Sequence, residues 1–258
     1  MSFHLPLRPL CVLLLLGCEQ QKAPSLSSLS PAPLEPLPAS GTDGGGGDVH
    51  RLAPAPPWGA PVPTNGVRVV LRDEEIRVGS ARFRSGAGAG MGPVLAAVGS
   101  GPVLLVAEGD TYLAQVAPLL AALDDAHLPV WLLHETGVAF PLRLRDERAF
   151  DAWLDEPKPG KIRVVQRQDG LELVSGVGKL PGPDPNGPTV PVRGGKLDVA
   201  TARQGLKRLQ ERFHAPDACL VPSFGTELRA VATALTAFWI GPQEPLFGEL
   251  CLVYPRPR

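Results

Sequence analysis

The sequence predicts an α+β protein with two tandem domains, each a small mixed sheet with a β-hairpin and with helices on one face. A pattern of strand, hairpin, strand, helix and strand occurs twice. The strand runs are short and rich in Val, Leu and Ile, and the helical stretches carry apolar residues at steps of three and four. Hydrophobic residues make 44% of the 258, which is enough to bury one or two small cores, although Gly 29 and Pro 30 mark part of the chain as unable to pack.

The organisation read along the chain is a signal peptide over 1–17, a Pro/Gly-rich tether over 18–66, a first domain over 67–142, a linker over 143–160 and a second domain over 161–258. Arg8 precedes the apolar run Cys11 to Leu16, which has the length of a signal-peptide core and is too short to span a bilayer. Leu15-Leu16-Gly17-Cys18 resembles the lipobox of bacterial lipoproteins. That resemblance implies a diacylglycerol on the Cys18 thiol and cleavage before it, so the chain would be anchored to a membrane without crossing it. Residue 19 is Glu, not the Asp that resembles an inner-membrane retention signal, which favours the outer membrane. Residues 19–66 hold ten prolines and seven glycines and show no apolar period. They read as a disordered spacer of roughly 40 Å root-mean-square reach.

The first repeat opens with Val67 to Arg72 and Glu75 to Val78, and the second with Ile162 to Arg167 and Gly170 to Leu173, an offset of 95. Each is expected to be a hairpin, turning near Asp73-Glu74 and at Asp169-Gly170. Val103 to Val106 corresponds to Ala218 to Val221 at an offset of 115. At that offset Leu113, Val116, Leu120 and Leu123 map onto Leu228, Val231, Leu235 and Phe238, each set on one helical face. Thr111 and Thr226 stand where N-caps are expected. Closing strands are expected at Pro129 to Leu133 and Glu249 to Tyr254. The offsets differ because the second copy carries an insertion over Lys179 to Lys196. A helix is expected from Leu197 to Phe213, against a short one over Met91 to Val98 in the first copy. Right-handed crossovers place both helices of a copy on the same sheet face.

These residues resemble the periplasmic domain of the ExbD/TolR biopolymer-transport family, with the step Ala107-Glu108 and Val116 eight residues later, then Pro222-Ser223 and Val231. The resemblance covers both copies. It implies a place in the cell envelope, facing the periplasm, and a tendency of the domains to dimerise, so the copies are expected to pack as an intrachain pseudo-dimer. The family's proton-carrying aspartate sits in a membrane-spanning helix. Here the apolar segment is too short and holds no carboxylate, which removes proton coupling from the expected role.

Several residues carry candidate chemistry. Cys219 and Cys251 fall on strands flanking the last helix, and in an oxidising envelope they could form a disulfide or remain two buried thiols. Glu108 is a candidate partner contact, with a solvated turn residue as the plainer reading. Ser223 with His214 and Asp217 nearby in sequence superficially offers a hydrolase triad, but no nucleophile-elbow glycines flank the serine. The run Gly86 to Gly90 lacks the lysine and preceding strand of a phosphate loop. The histidines are scattered, so no metal or other cofactor is expected. With Lys+Arg 25 against Asp+Glu 26 there is no basic excess for nucleic acid. The expected function is non-enzymatic: a lipid-anchored envelope protein whose two modules bind peptidoglycan or a transport component. An envelope serine hydrolase using Ser223 and a purely structural lipoprotein are the alternatives.

Overall fold

Val69 and Leu71 are almost wholly buried while Arg68 and Arg72 are exposed, and this period of two sets the first strand, Val67–Arg72 (β1), against a core on one side. The structure, a computed structural model, describes residues 58–85, 88, 90–157 and 160–256. Strand β1 turns through Asp73-Glu74 into Glu75–Val78 (β2), with Arg72 opposite Glu75 and Asp73 at φ 51. Ala81–Arg84 (β3) adds outside β2, and the short helix Gly92–Val98 (α1) leads to Val103–Glu108 (β4), parallel to β1. Leu113–Asp125 (α2) buries Leu113, Val116, Leu120 and Leu123, and Val130–Leu133 (β5) then lies parallel to β4.

The segment expected to be a linker is ordered secondary structure. Ala139–Asp146 (β6) pairs antiparallel with β5, and Glu147–Asp155 (α3) follows at once. The Asp146 carboxylate accepts the Ala149 N–H at 2.7 Å and so caps that helix. The end of the expected tether is also packed. Ala60 and Ala139 exchange backbone hydrogen bonds of 2.9 and 3.0 Å, and the Arg203 guanidinium lies 4.0 Å over the Trp58 ring.

The second half repeats the order. Ile162–Arg167 (β7) and Gly170–Ser175 (β8) are antiparallel, with Arg167 opposite Gly170. The turn is therefore Gln168-Asp169, one residue before the expected pair, and Gly170 is already strand. The inserted segment supplies Gly178–Lys179 (β9), Val190–Arg193 (β10) and Lys196–Leu197 (β11), of which β9 and β10 both pair with β8. Val199–Phe213 (α4), capped by the Asp198 carboxylate on the Thr201 N–H at 3.0 Å, leads to Asp217–Pro222 (β12). Leu228–Leu235 (α5) follows. Phe238, expected on this helix, is buried in a 3₁₀ turn over Thr236–Phe238. A small hairpin, Trp239–Gly241 (β13) and Glu244–Pro245 (β14), precedes the last strand, Glu249–Tyr254 (β15).

Neither threonine is an N-cap: the cap residues are Tyr112 and Glu227. The Thr111 hydroxyl instead donates toward the carbonyls of Glu108 (2.8 Å) and Leu71 (3.1 Å), while the Thr226 hydroxyl bonds that of Ser223 at 2.8 Å.

Both halves lie in one 13-stranded sheet rather than in separate sheets joined by a linker. Its order contains β5-β4-β1-β2 on one side and β15-β12-β7-β8 on the other, so corresponding strands take corresponding places. Strand β6 joins them, antiparallel to β5 and parallel to β15, so the halves run in opposite senses. The buried residues of α1, α2, α4 and α5 share one apolar cluster with one face of the sheet. Helix α3 lies on the other face. Its crossover from β6 to β7 runs across the sheet against the direction of β7 to β12 to β15, and a right-handed connection then falls on the opposite side. There Phe150, Trp153, Cys219, Cys251 and Val253 form a second, smaller cluster.

Candidate functional site

Apart from Cys219 and Cys251, the candidate residues do not come together in the fold. Cys18 lies outside the described residues. Strands β12 and β15 are parallel and set Cys219 opposite Cys251, with Cα atoms 4.4 Å apart and the sulfurs joined in a disulfide. This bond lies beneath Phe150 and Trp153, away from solvent. Ser223 follows the end of β12, whereas Asp217 begins that strand and His214 precedes it. At about 3.3 Å per residue the strand separates Ser223 from Asp217 by roughly 20 Å. Asp217 accepts the Trp153 indole N–H at 3.3 Å, so serine, histidine and aspartate are not brought together as a triad. Among the described residues no group of three or more His, Cys, Asp or Glu is placed to hold a metal ion, and no helix is long and apolar enough to cross a membrane.

Glu108 does fall within a coherent surface. Residues paired across a sheet share a face, so those opposite the core can be followed from strand to strand. Arg82 pairs with Arg77, Arg77 with Val70, Val70 with Val106, and Val106 with Leu133. The neighbouring row runs from Arg84 through Glu75 and Arg72 to Glu108. On the other side of the first row, Arg68, Leu104 and Trp131 stand abreast, with Pro141 beyond. A central apolar strip is thus edged by arginines. In the second half the matching positions, Cys219, Val221, Cys251 and Val253, pack under α3.

Ion pairs order this basic edge. Arg77 donates to Glu108 at 2.7 Å and lies 3.4 Å from Glu75, while Arg82 reaches Glu75 at 3.7 Å. Arg72, Arg77, Arg82 and Arg84 line a concavity of about 710 Å³, with the acids Asp73, Glu74 and Glu75 at the hairpin end. Arg68, Arg72 and Arg84 have no acidic partner within 4 Å among the described residues, so these three guanidiniums are open to an outside anion, although Asp73, Glu74, Glu75 and Glu108 leave the five-arginine edge nearly neutral. Its signal in the sequence is Arg68 and Arg72 on one side of β1 and Arg82 and Arg84 at alternate positions of β3, legible only once the buried side of each strand is known.

Compared with known proteins, the chain matches no family model, no curated protein and no solved structure.

Proposed function

We propose that this chain is a non-catalytic, lipid-anchored protein of a bacterial cell envelope. Its two ExbD/TolR-like halves, fused as a pseudo-dimer, bind an envelope partner without coupling to protons. The partner is peptidoglycan or a component of biopolymer transport. The observation that carries this reading is the sheet face of the first half that no helix covers, a half-buried apolar strip rimmed by Arg68, Arg72, Arg77 and Arg84 with Glu108 at its end. Such a surface suits a partner bearing carboxylates. Peptidoglycan stem peptides supply them, and screened charge attraction would make the binding salt-sensitive. The matching strand orders of the two halves support a duplicated unit.

The test is retention of the lipid-free chain on isolated peptidoglycan and on envelope extract. Retention on one of them is expected, weakened by raised salt and by the double substitution Arg72→Glu and Arg84→Glu. A chain that neither material retains would remove the proposal. Mass spectrometry of the mature protein tests the Cys18 lipid separately.

A further inference from the structure

The two halves differ in polarity at one buried position. The core-facing row of β1 is Val67, Val69 and Leu71; the corresponding row of β7, 95 residues on, is Ile162, Val164 and Gln166. Gln166 is 6% exposed, and its amide nitrogen donates to the Ala230 carbonyl at 3.0 Å. Its Oε1 is buried and has no hydrogen-bond partner. A buried amide oxygen left unpaired is destabilising, a cost the leucine of the first half avoids.

Gln166 lines a cavity of about 520 Å³, within the range of small-molecule sites. One wall is Val192, Gly195 and Leu197, which belong to the β10–β11 hairpin. This wall comes from the insertion and its immediate edge and has no counterpart in the first half. The facing wall holds Tyr112 and Glu227, bridge partners at the starts of α2 and α5. The half-buried Glu227 carboxylate makes no hydrogen bond or ion pair among the described residues. The one guanidinium on the lining, Arg167, is already paired with Glu172 at 3.2 Å. The Gln166 side chain, whose buried Oε1 lacks a partner, the unpaired Glu227 carboxylate and the Tyr112 side chain therefore line one cavity.

We propose that this cavity binds a small amine-bearing ligand, of amino-sugar or dipeptide size. Its N–H groups are received by Gln166 Oε1 and the Glu227 carboxylate, beside the Tyr112 ring. The proposal is independent of where in the cell the chain resides and of what the open sheet face binds.

Titration calorimetry of the lipid-free chain with glucosamine and with alanyl-alanine, each against its N-acetylated form, tests it. Saturable binding of one amine is expected, with its N-acetyl form at least tenfold weaker; which amine binds identifies the source. Gln166→Leu, which installs the residue of the first half, should abolish binding with the fold retained by circular dichroism. Glu227→Gln should weaken it about tenfold and decides the matter if the first variant does not fold. Failure of both amines to bind, equal binding of the acetylated forms, or unchanged binding by a folded Gln166→Leu or Glu227→Gln chain overturns the proposal.

Discussion

Thr111 and Thr226, 115 residues apart, each present their backbone carbonyl to the helix that follows the other. Thr111 accepts the Leu228 N–H at 2.8 Å, and Thr226 accepts the Leu113 N–H at 2.9 Å. First-turn amides have no acceptor within their own helix. Here each is satisfied by the opposite half. Hydrogen exchange should show this: the amides of Leu113 and Leu228 are expected to exchange only with global unfolding, unlike ordinary helix starts. Rapid exchange at both would mean that the halves separate in solution.

The same junction includes Arg229, whose guanidinium donates to the Gly109 carbonyl at 2.7 and 3.1 Å. Arg229→Ala should lower unfolding free energy by about 1 kcal/mol in a denaturant titration, because these bonds are exposed to water. A loss within error would show that the backbone pairs suffice.

Closing the 32-residue separation between Cys219 and Cys251 should contribute about 3–4 kcal/mol in the chain-entropy description. Replacing both by Ala should lower stability by that order. Because Phe150 and Trp153 cover the bond, thiol reagents should cleave it slowly until denaturant is added, which mass measurement of alkylated protein can follow.

Burial holds the His134 imidazole below its ordinary value of 6.5, with nearby Glu135 opposing the shift. Its Nδ1 faces the Thr136 hydroxyl at 2.7 Å and accepts the Thr136 N–H at 3.3 Å, which suits the neutral ring. The unfolded chain binds this proton more readily, so stability should fall as pH drops below 6.5 and level off beneath the folded pKa. Asp146 acts in a lower window. Burial would raise its carboxyl, but the Ala149 N–H and the Arg256 guanidinium together hold it below the usual 3.8. Its contribution is full above 3.8 and is lost as pH falls through the lower folded value. Unfolding curves at pH 7.5 and 5.5 for the native chain and His134→Gln isolate the first effect, and the substitution should flatten the difference.

Gly170 has φ +151, and a Cβ there would overlap the carbonyl oxygen of Val190. Gly170→Ala should cost about 1–3 kcal/mol through strain and overpacking. It should also loosen β10 from β8, so limited proteolysis within 179–196 is expected to accelerate. Unchanged cleavage would place the hairpin's anchorage elsewhere.

The sequence made the repeated strand and helix order readable because Val69, Leu71 and Leu105, and the row Leu113, Val116, Leu120, are buried at the periods their elements require. It hid β6 and α3. The charges Arg143, Arg145, Asp146, Glu147 and Arg148 suggested a solvated linker, yet Phe140, Leu142 and Leu144 alternate inward, and Phe150, Trp153 and Leu154 share one helical side. The caps fall one residue beyond the threonines that local propensity favours, and the carbonyls of those threonines accept hydrogen bonds across the junction. Gln166 showed in the sequence only as a polar residue in an apolar strand; its importance depends on a wall made by a distant insertion.

Helix α3 lies over one half alone. Two identical subunits would have to carry such a cover in both copies or in neither, since one gene segment would encode both. A single polypeptide that spells out each half separately is free to seal one side of its sheet and leave the sister side bare, obtaining from an approximately symmetric frame a molecule with a front and a back.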